Sequence, residues 1–268
     1  MKNNLRACYT PTRFACLDAF WLKLIAVIAM LCDHLGYTGL ASGDWLRLFG
    51  RIALPIYAFL LVEGFFNTHN VSRYALRLAL FALISELPFD LMASSGSSLF
   101  CWDAQNVFFT LLLGLLTIAA LDYVKRTFYD SRLDADIKSR VLGGAYGLLL
   151  AIAAVIAACA LATVLYTDYS YYGVLLIVSF YLLRGHLLLI AAAQLVIFFL
   201  LMPHYTVSLT LFSTTMTVGF YGFAVFSMIP LALYNGKRGL RNPALQYAFY
   251  AFYPLHLLVL GIIVRAVR

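Results

Sequence analysis

An all-α, polytopic membrane bundle is the fold this sequence predicts, on three observations. Hydrophobic residues make up 63% of the chain and charged residues 12%, at a mean hydropathy of +0.89, whereas soluble domains are about 25% charged. The apolar residues fall in successive runs of about 20, the length of an α-helix that crosses a bilayer. Lys and Arg gather in alternate connections between those runs, the asymmetry that orients helical membrane proteins.

Taken in order, about nine spans are expected, within a range of eight to ten, near residues 17–37, 46–66, 74–93, 106–122, 141–163, 169–183, 186–203, 212–234 and 245–264. The first carries Asp33 and His34 close to its end, and Arg51 stands at the entry to the second. The third closes on ISELPFDL with Glu86 and Asp90. The fourth opens with Asn106 and Thr110, one turn apart and so on one face. The sixth and seventh, divided only by RGH, read as a hairpin or as re-entrant segments, and the ninth holds His256 midway, beside Tyr253 and Pro254. The only long hydrophilic connection is DYVKRTFYDSRLDADIKSR, so one integral-membrane domain over residues 1–268 is expected.

Orientation follows from charge. Lys2, Arg6, Arg13, Arg73, Arg77, Lys125, Arg126, Arg132, Lys138, Arg140, Arg184, Lys237, Arg238 and Arg241 fall on one side of this path. That side is expected to be cytoplasmic. The opposite connections hold Arg47 with Asp44, Asp103 and Asp168. The N-terminus is therefore expected inside a bacterial cytoplasmic (inner) membrane, and nine spans put the C-terminus outside, against the pull of Arg265 and Arg268.

Several classes drop out. The opening MKNNLRACYTPTRFACLDAFW is basic but has no apolar stretch ahead of a small-residue cleavage site, so a removable signal peptide is not expected. Five scattered cysteines without a C-x-x-C pair give neither a disulfide framework nor a metal site. The net charge of +7 is accounted for by the connections, so no nucleic-acid partner is expected.

What remains is a set of polar and ionisable groups at bilayer depth, where a charged one costs about 3 kcal/mol to insert and is therefore a marker of function. His34, Arg51, Glu86, Asn106, Thr110, Asp168 and His256 sort to the outer half, from six different spans. Lys23, Glu63, His69, Arg73 and Arg77 sort to the inner side, where Lys23 and Glu63 read as a structural pair. The abundant Phe and Tyr read as lipid-facing and interfacial.

The succession LKLIAVIAMLCDHLG, FGRIALPIYAFLLVEGFFNTHN, YALRLALFALISELPFDL, NVFFTLLLGLL and YAFYPLHLLVL resembles the TraX family, membrane proteins similar to the one that acetylates conjugative pilin. The resemblance implies an acetyltransferase that uses acetyl-CoA as cosubstrate, related to membrane acyltransferases that pass an acyl group from the cytoplasm to an acceptor on the far side. An early-helix histidine is the catalytic residue expected of that wider group, which maps to His34. The acceptor it implies is a pilin N-terminal amine; an envelope sugar or peptide group would serve the same chemistry.

The residues fit that chemistry. Acyl transfer needs a base and donors for the developing oxyanion, and imidazole titrates near neutrality. His34 is the candidate base, with Asp33, Arg51, Glu86, Asn106 and His256 completing the catalytic set. Asp33 is about 100° round the helix from His34 and cannot orient it while the helix is intact; Glu86, Asp90 or Asp168 is expected to do so. Arg73 and Arg77, at i and i+4, are the candidates for the CoA phosphates. The competing reading is a transporter or flippase whose buried charges are gates.

Overall fold

The structure is a computed structural model that describes residues 12–41, 44–94, 102–132, 136–202, 206–211, 214–240 and 242–267. Lys2, Arg6, Arg241 and Arg268 lie outside the described residues, as do the side chains of Arg132 and Lys138. Ten α-helices are described: α1 Ala19–Thr38, α2 Asp44–Gly50, α3 Ala53–Asn67, α4 Val71–Ala93, α5 Val107–Phe128, α6 Ile137–Val164, α7 Ser170–Leu182, α8 Leu187–Leu195, α9 Met228–Ala232 and α10 Pro243–Val267. Two short strands, β1 Thr206–Leu211 and β2 Thr214–Gly219, pair antiparallel between α8 and α9.

The long helices start where the sequence supplies an oxygen for the first free backbone N–H groups. Asp18 accepts from Phe20 and Trp21, Asn70 from Arg73, Asn106 from Phe108 and Asp136 from Ser139, at 2.8–3.2 Å. Helix α1 stops at Gly39, which takes the left-handed conformation (φ 73°) that glycine adopts without steric cost.

The helical membrane bundle is present, but the count of nine spanning helices is not. Among the described residues, five stretches are long and apolar enough to cross a membrane: Ala19–Thr38, Asp44–Asn67, Val107–Phe128, Ser139–Val164 and Ala244–Val267. Helix α4 has the length, 23 residues, but Arg73, Arg77, Glu86 and Asp90 dilute its apolar character. Helix α7, at 13 residues, spans only about 20 Å, short of the roughly 30 Å core. The eighth expected span is replaced by the β-hairpin, a 3₁₀ turn at Tyr221–Ser227 and the five-residue α9. The Phe, Val, Ile and Leu that follow make the window apolar, yet the β-branched Thr and Val at its start favour strand over helix.

Five helices close a ring: α10 packs on α4, α4 on α5, α5 on α3, α3 on α1, and α1 back on α10. Leu22, Ala26, Ile56, Ala82, Leu115 and Leu257 are fully buried in the core between them. Helix α7 backs α3 and α5. Helix α6 lies outside, with only 11% of the apolar window within Ser139–Val164 buried, so its apolar surface faces the lipid.

Candidate functional site

At one end of the ring, α2 lies against the last turns of α1 because both meeting points are glycines. A Cβ on Gly50 would sit 2.3 Å from Asp33 Cβ, and one on Gly36 would sit 2.6 Å from Arg47 Cγ. The close approach forms an ion-pair cluster: Asp33 hydrogen-bonds Arg51, and its other oxygen faces Arg47 Nε at 3.8 Å. Arg51 is buried and its guanidinium lies over Phe220, Tyr221 and Tyr169 at 4.6–5.7 Å, a cation–π cage that offsets desolvation of the charge.

Helix α1 runs unbroken past Gly36 to Thr38, so His34 points away from Asp33, as the 100° offset requires. It meets α10. His34 Nδ1 lies 2.7 Å from His256 Nε2, with the rings stacked at 5.0 Å and an angle of 16°. His256 Nδ1 is 2.8 Å from the Phe252 carbonyl oxygen. A carbonyl only accepts, so in the neutral pair His256 Nδ1 carries hydrogen, its Nε2 accepts from His34 Nδ1–H, and His34 Nε2 keeps its lone pair. Among the described residues His34 Nε2 has no hydrogen-bond partner.

A second polar group joins α4, α5 and the α6–α7 connection beside the histidines. Asn106 donates to Glu86 and to the Ala82 carbonyl (2.8 Å) while capping α5, and Thr110 donates to the Asp168 carbonyl. Asp168 faces Arg51 and Asp33; burial pushes its carboxyl up from 3.8 to about 6, with the Arg51 charge pulling it back down. Tyr166, Tyr169 and Ser170 hold left-handed φ of 44–61° around it, unfavourable for bulky residues and of a kind that clusters at functional sites.

From the opposite end of the ring a cavity of about 630 Å³ runs inward between α1, α3, α4, α5 and α10. Lys23, His69, Arg77 and Arg238 line its basic part, and Val107, Phe108, Met30 and Tyr253 its inner end. Lys23 lies about 16 Å below His34 along α1. Arg77 Nε is buried there without a hydrogen-bond partner among the described residues. Tyr253 links cavity and histidines: its ring packs edge-on to His34 at 6.2 Å and to His256 at 5.6 Å.

The structure thus brings Asp33, His34, Arg51 and His256 together, with Glu86, Asn106 and Asp168 alongside. It changes several expectations. The group that orients His34 is His256 rather than a carboxylate. Arg73 is exposed and Arg77 alone of that pair lines the cavity, joined by Lys23 and Arg238. Glu63 pairs with Arg184 (2.7 and 3.2 Å) instead of Lys23, because α3 packs on α7 at that end. Many aromatics are core rather than lipid-facing: Phe59, Phe65, Phe108, Phe180 and Tyr253 are buried. Sequence reasoning missed Arg47, although it sits one turn from Arg51, and Tyr253, although it stands in the Y-P-x-H segment.

The chain is 31% identical over 262 residues, 91% of its own length and 94% of the relative's, to the "Probable fimbrial assembly protein FimC, serogroup H1" of Dichelobacter nodosus. No solved structure matches it. The model of the TraX family (TraX protein) matches residues 19–264, from the first helix through the histidine on the last, and the chain belongs to that family.

Proposed function

We propose that this protein is an inner-membrane acetyltransferase that takes acetyl from acetyl-CoA in the cytoplasm and places it on an amine or hydroxyl of an envelope acceptor, a pilin among them, at the outer side. The observation that carries this reading is the cavity: it is basic at one end of the ring and reaches Tyr253, against both histidines, at the other. Family membership and the name of the fimbrial relative support it.

Acetyl-CoA supplies an activated acyl group and a thiol leaving group. Arg77, with its unpartnered Nε, and Lys23 and Arg238 are the cations that meet its phosphates. Phe249 and Tyr250 give the cavity flat apolar walls. His34 Nε2, kept basic by the hydrogen bond through His256, takes the proton of the acceptor as it attacks. Asp33 and Arg51 hold α1 and α2 in register around it, and the Glu86–Asn106 clasp fixes the start of α5.

The test is release of free CoA from acetyl-CoA by the purified protein in lipid nanodiscs, with and without envelope extract as acceptor source. Wild type is expected to release thiol faster with extract, and His34→Ala to lose about 100 to 10,000-fold while remaining folded. A protein that neither binds nor cleaves acetyl-CoA is a transporter or flippase instead.

A further inference from the structure

Among the described residues, Tyr253 is the only side chain that both lines the cavity and makes ring contacts with His34 and His256. Its position is set from three sides. The ring packs edge-on to Phe108 at 5.1 Å, and the residue is 4% exposed. Its hydroxyl oxygen accepts the backbone N–H of Val107, the first residue of α5, where the helix presents its positive end. Pro254, next in sequence, has no N–H for the carbonyl one turn earlier, so α10 runs on through it with one backbone hydrogen bond fewer at the level where Tyr253 lines the cavity.

That arrangement leaves one atom unexplained. With its oxygen already accepting from Val107, the Tyr253 hydroxyl still has its own proton to give, and no described residue accepts it. Because Tyr253 lines the cavity, that proton is available to an acceptor on a molecule bound there. Glu86, Asp168 and Tyr169 are its polar neighbours, on the side of the ring away from the cavity's basic end.

We propose that Tyr253 is a catalytic residue whose phenolic O–H donates a hydrogen bond to the acyl carbonyl oxygen as negative charge develops there; this rests on the acetyl-transfer reading above. The acceptor's nitrogen or oxygen lone pair forms the new bond to the carbonyl carbon while His34 Nε2 takes its proton. The C=O π pair moves onto oxygen, where Tyr253 donates without losing its own proton. When the carbonyl re-forms, the C–S bond breaks and the sulfur leaves with the electron pair, taking the proton back from His34. A donor fixed beforehand by α5 needs no reorganisation at that moment, which is what makes such donors effective.

The experiment is steady-state CoA release by Tyr253→Phe in nanodiscs, beside wild type and His34→Ala. The Phe ring keeps every ring contact and removes only the hydroxyl. The expected result is a kcat about 100 to 1,000-fold lower, an acetyl-CoA KM within about twofold of wild type, as for a group that acts only in the transition state, and an unshifted pH profile. A structural role would instead lower the melting temperature and leave kcat intact, and that outcome overturns the assignment. A second variant, 3-fluorotyrosine at the same position, keeps the fold and strengthens the donor; it is expected to move kcat without moving KM, and an unchanged kcat also overturns it. Wild type that releases no CoA defeats the transfer reading itself, whereas active wild type with an equally active Tyr253→Phe defeats only the role of Tyr253.

Discussion

The proton on His256 Nδ1 is held by the Phe252 carbonyl 2.8 Å away, and through the 2.7 Å contact it sets the proton on His34 Nδ1 as well. Which nitrogen of His34 is basic therefore depends on a residue 222 positions away. His256→Ala is expected to lower turnover by about 100-fold, since the base loses its tautomer but not its place. His256→Gln, whose side-chain oxygen still accepts from His34, is expected to restore part of it in the same CoA-release assay. Asp168 gives the pH dependence. Its folded value of about 6 lies above the ordinary 3.8, so the folded protein holds that proton more tightly than the unfolded chain does. The stability it contributes is complete below about 3.8 and lost as pH rises through about 6. The melting temperature in detergent is expected to fall across that window, and Asp168→Asn to flatten the fall. For single residues the sequence singled out groups that the fold gathers at one end of the ring, because ionisable residues at bilayer depth stand out singly. It was silent on who touches whom, since the His34–His256 contact and the Asp33–Arg51 pair are products of packing.

Among the elements, α1 and α2 show how much of the site depends on absent side chains. Any Cβ at position 50 meets Asp33 at 2.3 Å, so Gly50→Ala is expected to push α2 off α1 and to cost about 1–3 kcal/mol, the usual penalty of overpacking. The check is the thermal melt, with Ala53→Gly, one turn further along the same segment, as a control that enlarges nothing. The long apolar helices α1, α5, α6 and α10 were legible because hydropathy and length alone define them. The hairpin was not, because Thr214–Gly219 runs directly into the apolar GFYGFAVFSMIPLALY stretch of the expected eighth span, and the Thr and Val of both strands are the signal against helix. Helix α4 was legible from its apolar run ending on ISELPFDL, although its charge content weakens it as a membrane span.

For the whole molecule, the chain alternates between two faces even where a span is replaced by the hairpin. Leu17 bridges Tyr234, and Arg238 hydrogen-bonds the Asn67 carbonyl on the basic face, while His34 meets His256 and Gln105 bridges Thr167 toward the other. In a cysteine-free background, Trp102→Cys is expected to react with an impermeant thiol reagent added outside intact cells, and Ser139→Cys only after the membrane is opened. Reaction of both from outside would contradict the orientation. An acyl group is expected to enter from the basic face and to leave from the histidine end. The decisive measurement uses inside-out membrane vesicles from cells that make the protein, supplied with acetyl-CoA radiolabelled in the acetyl group. Label is expected to appear on an envelope protein or glycan, to be absent with His34→Ala, and to be absent when the same acetyl-CoA is offered to sealed right-side-out vesicles. Equal labelling with and without His34, or labelling from the outer face alone, would contradict it.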